Sequence, residues 1–216
     1  MIHLHHSPGS RSFRVIWLLE ELGLDYDLTA YDFTDGSLRH PDHLARSPAG
    51  KVPALEIDGV KLFESGAIAQ WLTEREGRLA PRPGEPGRAD FLQWLHFAET
   101  QGICIQNLNI QYNFIRPESA RSAPFIKLET KRLAVTARAL EARLSGRECL
   151  LDGGFSAVDC MFGFNVRSLF HFLRAEEYPA TAAWWNRMQA RPACARALDR
   201  EGGGMFDRDF YELPDA

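Results

Sequence analysis

The chain has 216 residues, of which 45% are hydrophobic and 25% charged, and these values are typical of a globular protein with one large domain or two modest ones. A net charge of −4 argues against nucleic acid or an acidic membrane surface as the main partner. No apolar run is long enough for a membrane helix, and the first residues lack the basic and apolar regions of a signal peptide, so we expect a cytoplasmic protein.

The cysteines and the first histidines do not predict a metal or redox site. All four cysteines lie in the second half of the chain without the spacing of a metal site or a CxxC motif. They are Cys104, Cys149, Cys160 and Cys194. Because none precedes Cys104, no protein thiol is expected to act in the first half. His3, His5 and His6 have no cysteine or carboxylate near them in the sequence, and we expect no metal there.

The first elements predict a βαβ unit. Residues 2–6 precede the turn residues Ser7-Pro8-Gly9, which indicates a first strand. From Phe13 to Leu22 the apolar residues recur at helical spacing and Gly23 follows as a stop, which predicts an amphipathic helix. Residues 26–31 alternate between apolar and polar side chains and predict the second strand.

Residues 50–66 predict a β-hairpin that leads into a helix. Apolar residues flank Asp58-Gly59, and this dipeptide is typical of two-residue turns because both of their central residues need positive φ. Ser65 is a natural helix N-cap, and the helix should end at Gly77. With a short helix around residues 41–46, the order of elements over residues 1–77 predicts a thioredoxin-like α/β domain.

The remainder predicts an all-helical domain at residues 88–216, including a C-terminal tail, after a Pro- and Gly-rich linker at residues 78–87. Apolar residues recur at helical spacing in four segments. These segments are residues 91–113, 123–144, 157–173 and 181–191. Ser156 and Asp159 have the spacing of a capping box at the start of the third segment.

The segment around Pro53 and Ser65 also has features of a binding site. Pro53 stands where a strand should pair, so its missing N–H must face a strand edge or a ligand. A cis Val52–Pro53 bond would turn the main chain of Val52 outward, where it could pair with an extended peptide. The free amides of the helix start at Ser65 favour an anion such as a carboxylate. Together these features predict a site for a short acidic peptide.

Two motifs of this segment, Gly50-Lys51-Val52-Pro53-Ala54-Leu55 and Glu64-Ser65-Gly66-Ala67-Ile68, closely resemble the glutathione-binding half of the glutathione S-transferase superfamily. The start of the predicted helix at Ser156 is similar to the family's helical domain. The resemblance implies a thioredoxin-like domain at residues 1–77 with an all-helical bundle after it. It also implies glutathione as co-substrate, no metal, and a homodimer.

The resemblance further implies that Ser10 is catalytic, because Ser10 and Arg14 match the Ser-x-x-x-Arg pattern of serine-type members. Ser10 would donate its hydroxyl to the glutathione sulfur, since the thiolate is the nucleophile and a thiol with a pKa of about 8.5 is mostly protonated at neutral pH. Ser12 is the nearest alternative for this role, and Ser10 read in isolation is a plain cap or turn serine. Arg11 could strengthen the positive field at the sulfur or could simply be solvated.

The other contacts to glutathione are likewise implied by the resemblance. Glu64 would bind the γ-glutamyl ammonium, Ser65 would bind the γ-glutamyl carboxylate, Val52 beside Pro53 would pair with the cysteinyl main chain, and Lys51 and His40 would meet the glycyl carboxylate. His43 and Ser47 depart from the commonest family pattern, which has a large apolar residue and an asparagine at these positions. The glycyl contacts are therefore the part of the site that the resemblance supports least.

The implied activity is conjugation of a serine-stabilised glutathione thiolate to a small apolar electrophile, as in detoxification. The electrophile would lie between the domains, with His96, Tyr112 and Phe114 as possible lining residues, although aromatic residues at helical spacing are commonly core. No residue identifies the electrophile. Peroxidase, dehalogenase or isomerase activity at the same site is therefore an alternative, as is a non-catalytic binding or regulatory protein.

Overall fold

The computed structural model describes residues 1–214, which divide into two compact units. The first unit contains Met1–Arg88 and Gln189–Met205, and the second contains Ala89–Met188 and residues 206–214. The first unit combines a four-stranded sheet with helices, and the second is helical. The predicted fold class, a thioredoxin-like α/β domain with an all-helical bundle, is confirmed.

Four short strands form the sheet in the order β2-β1-β3-β4. They are β1 (Ile2–His6), β2 (Asp27–Ala30), β3 (Ala54–Ile57) and β4 (Val60–Phe63). Strand β1 runs parallel to β2, so the two need a crossover connection, and helix α1 (Phe13–Leu22) supplies it. Strand β3 is antiparallel to both β1 and β4. The predicted βαβ unit and hairpin are both present.

The hairpin closes through Asp58-Gly59, as the sequence predicts. Ile57 pairs with Val60, so only these two residues form the loop. Their φ angles are 49° and 83°, and both lie in the left-handed region that this class of turn requires. Asp and Gly adopt this region at a lower cost than most residues, which is why the dipeptide predicts the turn.

Helix α1 packs against two other helices of the first unit, α3 (Ser65–Glu76) and α8 (Pro192–Glu201). The contact with α8 joins segments about 170 residues apart. Arg191 donates hydrogen bonds of 2.7 and 2.8 Å to the two carboxylate oxygens of Glu21, and Arg196 donates one of 2.7 Å to Glu20. These ion pairs flank the apolar contact between the two helices.

The sequence pattern predicted no helix after residue 191 and placed residues 88–216 in one helical domain. Helix α8 instead lies with the first unit, together with the chain as far as Met205. Its buried face consists mainly of small side chains, Ala193, Cys194 and Ala197. The segment is polar on average and its small apolar residues bury little area, and the partner of that face lies at the opposite end of the chain.

The second unit contains four long helices. They are α4 (Arg88–Asn109), α5 (Ala123–Leu144), α6 (Ala157–Leu169) and α7 (Pro179–Gln189). Between α4 and α5 the chain widens into one turn of π-helix at Ile110–Phe114, so the helix predicted to reach residue 113 changes geometry at its end. A short α2 (Pro41–Leu44) in the first unit agrees with the helix expected there.

Helix α6 is buried on nearly every side, as predicted, and the capping box at its start is confirmed. The Ser156 hydroxyl accepts a hydrogen bond from the Val158 amide, and the Asp159 carboxylate accepts one of 2.9 Å from the Ser156 amide. Asp159 also accepts from the Leu150 amide and from the Trp184 indole. One buried carboxylate thus connects three segments of the second unit. In residues 1–214 no helix is both long and apolar enough to cross a membrane.

Candidate functional site

The loop between β1 and α1 brings together the two serines that the sequence singles out. Ser10 is 8% exposed, and its Oγ lies 2.5 Å from the Oγ of Ser12 and accepts a hydrogen bond of 3.2 Å from the Ser12 amide. Ser12 occupies the N-cap position of α1 without a side-chain cap hydrogen bond. Its hydroxyl faces Ser10 and His6 instead. Ser10 and Ser12 therefore form one buried hydroxyl pair.

His6 continues this hydroxyl pair into the interior of the first unit. Its Nδ1 is 2.6 Å from Ser12 Oγ, and its Nε2 is 2.9 Å from the carbonyl oxygen of Glu201. A carbonyl oxygen only accepts, so Nε2 carries the hydrogen. Burial lowers the pKa of His6 to about 4, and the ring is neutral at pH 7. Nδ1 is then an acceptor, and the Ser12 hydroxyl donates to it.

The C-terminal end of α8 closes over the same loop. The Glu201 carboxylate accepts a hydrogen bond of 3.3 Å from the Gly9 amide, in addition to the bond from His6 to its carbonyl. Gly9 has a φ of 72°, and a Cβ on it would lie 2.6 Å from the Cβ of Met205. Both the backbone angle and the close approach require glycine. The segment after residue 200, for which the sequence predicts no structure, thus packs against the loop that carries Ser10.

Arg14 connects the start of α1 to the start of α3. Its Nη1 donates a hydrogen bond of 2.9 Å to Ser65 Oγ, and both residues are buried, at 1% and 3% exposed. The Ser-x-x-x-Arg pattern at Ser10 and the motif at Ser65 therefore meet through one side chain. Because a guanidinium only donates, Arg14 uses a lone pair of Ser65 and leaves the hydroxyl proton of Ser65 to another acceptor.

The prediction that Ser65 is the N-cap of α3 is wrong by one residue. Helix α3 begins at Ser65, and Glu64 is the N-cap, with a φ of 72° and no side-chain cap hydrogen bond. The Glu64 carbonyl accepts the first helical hydrogen bond, from the Ile68 amide, at 2.9 Å. The Ser65 hydroxyl lies within the first turn of the helix and accepts its hydrogen bond from the Arg14 guanidinium. Positive φ is uncommon for a glutamate and is typical of functional sites.

The residues before Pro53 are held by the two positions that depart from the family pattern. The Lys51 amide donates a hydrogen bond of 3.2 Å to Ser47 Oγ, and His43 Nε2 donates one of 3.1 Å to the Lys51 carbonyl. The Val52–Pro53 peptide is cis, and β3 begins directly after it. His43 and Ser47 are both buried. They therefore fix the main chain of Lys51 from both sides.

The predicted contacts to the glycyl end have exposed side chains. The Lys51 side chain is exposed. His40 is the N-cap of α2, where its ring accepts a hydrogen bond of 3.4 Å from the Asp42 amide and lies 3.5 Å from the Asp42 carboxylate. A ring nitrogen occupied in capping is less available to a ligand. The proposed role of His40 therefore has less structural support than the role of Lys51.

His3 and His5 lie on the face of the sheet opposite His6, as the strand alternation predicts. Their rings stack at 4.6 Å, and His5 Nε2 lies 3.0 Å from the Glu56 carboxylate. Arg46 donates to the same carboxylate, at 2.5 Å. Burial raises the pKa of Glu56, but the hydrogen bonds from Arg46 and His5 outweigh it and lower the pKa overall. In residues 1–214 no group of three or more His, Cys, Asp or Glu side chains is arranged to hold a metal ion.

Sequence reasoning missed three parts of this site, namely His6, Glu201 and the paired use of His43 and Ser47. His6 differs from its strand neighbours only in its face, and no local pattern shows what it contacts. Glu201 acts largely through its carbonyl, which carries no sequence signal. One sequence signal was available. His6 lies two residues after Leu4 in β1, so it falls on the same buried face, where a polar side chain needs a partner.

Comparisons with known proteins match both parts of the chain. The family model for the glutathione S-transferase N-terminal domain matches residues 1–74, and that for the C-terminal domain matches residues 103–192. Glutathione S-transferase 4 of Zea mays is 32% identical over 83% of this chain and 83% of its own length. The disulfide-bond oxidoreductase YfcG of Escherichia coli is 32% identical over 92% of this chain and 94% of its own length.

A solved structure shows the same fold. The glutathione transferase URE2P6 from Phanerochaete chrysosporium, in complex with oxidized glutathione, superposes with a TM-score of 0.84. It is 30% identical to this chain and covers 93% of it and 96% of its own length.

The buried His6 predicts a pH dependence of stability. At pH values above its ordinary pKa of 6.5, the ring is neutral in both the folded and the unfolded chain, so it contributes no pH dependence to the free energy of unfolding. As the pH falls from 6.5 to about 4, only the unfolded chain binds the proton, so the free energy of unfolding should fall by about 3 kcal/mol. Urea denaturation at several pH values measures this loss.

The control separates His6 from other titrating groups. Burial also lowers the pKa values of His5 and His171, so these two residues add to the slope of unfolding free energy against pH in every variant. The variant His6→Phe should show a smaller loss of stability on acidification, whereas His40→Asn, at an exposed histidine, should keep the parent slope. Equal slopes for the parent and His6→Phe would contradict the prediction.

Proposed function

The chain belongs to the glutathione S-transferase family, and we propose that it catalyses the attack of glutathione sulfur on a small apolar electrophile, with Ser10 as the residue that stabilises the thiolate. The observation that carries the proposal is the buried Arg14–Ser65 hydrogen bond. It joins the loop of Ser10 to the helix start that would take the γ-glutamyl carboxylate. The cysteinyl sulfur and the γ-glutamyl carboxylate of one peptide would thereby be bound by one connected structure.

Ser65 suits a carboxylate for two reasons. Its hydroxyl proton is not used by Arg14, and the positive charge beside its oxygen makes it a stronger donor. It also stands on the first turn of α3, whose amides favour a negative charge. Glu64, exposed at the N-cap position, would meet the neighbouring ammonium.

The middle and the glycyl end of glutathione would lie along Lys51, Val52 and Pro53. Since His43 and Ser47 hold the Lys51 main chain, the Val52 main chain is presented in a fixed position, and less conformational entropy is lost when it pairs with the cysteinyl residue. The Lys51 ammonium would meet the glycyl carboxylate. Glutathione is thus a co-substrate held by this chain's own side chains and main chain, with no metal in the scheme.

Disulfide reduction is a second candidate, and the likeness to the oxidoreductase YfcG favours it. In this reaction a thiolate of glutathione attacks one sulfur of a disulfide and the other sulfur leaves as a thiolate. A second glutathione then attacks the mixed disulfide, giving oxidised glutathione and a second thiol. Residues 1–88 of the first unit contain no cysteine. Glutathione would therefore have to provide the thiols that react at the proposed site.

We also propose that the protein is a homodimer, as family membership implies. Helix α5 exposes Leu128 and Val135, which are 55% and 58% exposed and lie seven residues apart on one face. Apolar residues of this size on one face of a helix are candidates for burial against a second copy.

Reduced glutathione should bind the purified protein with micromolar to low-millimolar affinity. Replacement of Ser65 by alanine removes a hydrogen bond to a charged group, worth about 1.5–3 kcal/mol, so Ser65→Ala should bind about tenfold more weakly or worse. Isothermal titration calorimetry measures both. Ser119→Ala, at an exposed serine of the second unit, should bind like the parent. No binding by the parent would require the assignment to be withdrawn.

The variant Ser10→Ala should still bind glutathione but conjugate it more slowly. If the hydroxyl lowers the thiol pKa by about one unit, the conjugation rate at neutral pH should fall by about tenfold. The rate is measured with an aryl halide, a hydroperoxide and a small disulfide as separate second substrates. Turnover of the disulfide alone would support the second candidate over conjugation, and an unchanged rate in Ser10→Ala would contradict the role of Ser10.

A dimer should be disrupted by charges on α5. Leu128→Glu with Val135→Glu should convert a species of twice the chain mass to one of the chain mass in light scattering. Leu213→Glu, at another exposed apolar residue, should leave the mass unchanged. A parent protein with the mass of one chain would show that the dimer is absent.

A further inference from the structure

We propose that Ser12 competes with the glutathione thiolate for the hydroxyl proton of Ser10, and that His6 maintains this competition by fixing the orientation of Ser12. Ser12 and His6 are then positioning residues that limit how far Ser10 stabilises the thiolate. The inference rests on the proposed function, because the thiolate is that of glutathione.

The direction of the hydrogen-bond chain follows from its inner end. The Glu201 carbonyl oxygen can only accept, so His6 Nε2 donates to it at 2.9 Å. In the neutral ring the other nitrogen has only a lone pair, and Ser12 Oγ lies 2.6 Å from it. A hydroxyl has one proton, so Ser12 spends its proton on His6. The Ser7 carbonyl, the other acceptor near Ser12 Oγ, is 3.4 Å away, which is a much poorer distance.

The outer end of the chain is then determined as well. With its proton on His6, Ser12 can only accept at the contact of 2.5 Å with Ser10 Oγ. Ser10 must therefore donate to Ser12, and the proton of Ser10 points into the protein. The Ser12 amide donates to Ser10 Oγ at 3.2 Å, which occupies one of the two lone pairs of that oxygen. What Ser10 presents outward is the other lone pair.

A lone pair suits a thiol and repels a thiolate. A neutral glutathione S–H can donate to Ser10 Oγ in this arrangement. When the thiol proton passes to solvent, the thiolate gains a hydrogen bond only if the Ser10 hydroxyl turns away from Ser12. The turn exchanges one hydrogen bond for a stronger, charge-assisted one, and the lost bond to Ser12 reduces the gain. Ser12 Oγ keeps a weak bond from the Ser7 amide at 3.4 Å.

The decisive variant is Ser12→Ala. Competition predicts that this change lowers the pKa of bound glutathione and raises turnover, whereas a general disruption of the site would lower turnover. Without the inner acceptor, the Ser10 hydroxyl should turn outward, and the pKa of bound glutathione should fall by about half to one unit relative to the parent. Turnover at neutral pH should rise by up to about tenfold where chemistry limits the rate. The ultraviolet absorbance of the thiolate, titrated against pH in the complex, measures the pKa.

His6→Phe and a Ser10→Ala background test the mechanism further. They show whether a change of the thiol pKa comes through the Ser10 hydroxyl or from a folding defect. His6→Phe keeps a ring but removes the acceptor of the Ser12 proton, so that Ser12 can donate to Ser10 and release the Ser10 proton outward. It should shift the thiol pKa in the same direction as Ser12→Ala. In a Ser10→Ala background, neither change should move the thiol pKa. A rise or no change of the pKa in both single variants would overturn the proposal.

The failure of this inference and that of the proposed function are distinguishable. Nitrogen NMR of the imidazole of His6 in the free protein should show Nε2 protonated and Nδ1 unprotonated, and the opposite tautomer would overturn the inference without reference to glutathione. Absence of glutathione binding by the parent would overturn the proposed function and the competition together. A bound thiolate whose pKa neither variant moves would overturn the competition alone.

Discussion

Burial of the polar loop after β1 is the constraint on which the rest of the site depends. A buried hydroxyl or imidazole without a partner costs roughly 1–3 kcal/mol, so the side chains of this loop must find partners inside the protein. They do so in series, from Ser10 to Ser12, from Ser12 to His6, and from His6 to the Glu201 carbonyl. The Glu201 carbonyl at the inner end can only accept, and this fixes which group donates and which accepts at each link of the series.

The partner at the inner end comes from the opposite end of the chain. Helix α8 must pack on α1 for the Glu201 carbonyl to reach His6, and the ion pairs of Glu20 and Glu21 with the α8 segment flank that contact. The close approach of Met205 to Gly9 belongs to the same packing. The loop that carries Ser10 is therefore positioned by residues near 200 as much as by the strand and helix on either side of it. Changes at the C-terminal segment can act on the site without touching a ligand.

The agreement between sequence and structure follows the range of the interactions involved. The Asp58-Gly59 hairpin and the capping box of Ser156 and Asp159 depend on a few adjacent residues, and both form as predicted. The expected N-cap at Ser65 also has a local pattern, but Arg14 lies 51 residues away and takes the serine oxygen. The helix begins at Ser65 itself, and the serine oxygen accepts from this distant guanidinium and does not cap the helix.

By itself the sequence determined the two kinds of domain, the hairpin, the stretch around Pro53 and Ser65 as a candidate peptide site, and Ser10 as a candidate for the sulfur. The domains, the hairpin and the candidate peptide site follow from periodicity and turn chemistry, whereas Ser10 follows from the resemblance of its motif to serine-type family members. All of these depend on residues that are neighbours in the sequence. Only the tertiary structure decided that Arg14 holds Ser65, that His43 and Ser47 hold Lys51, and that the proton of Ser10 points inward. The physical reason is that the direction of a hydrogen bond is set by its partner, and these partners are joined to their sites by folding and not by sequence spacing.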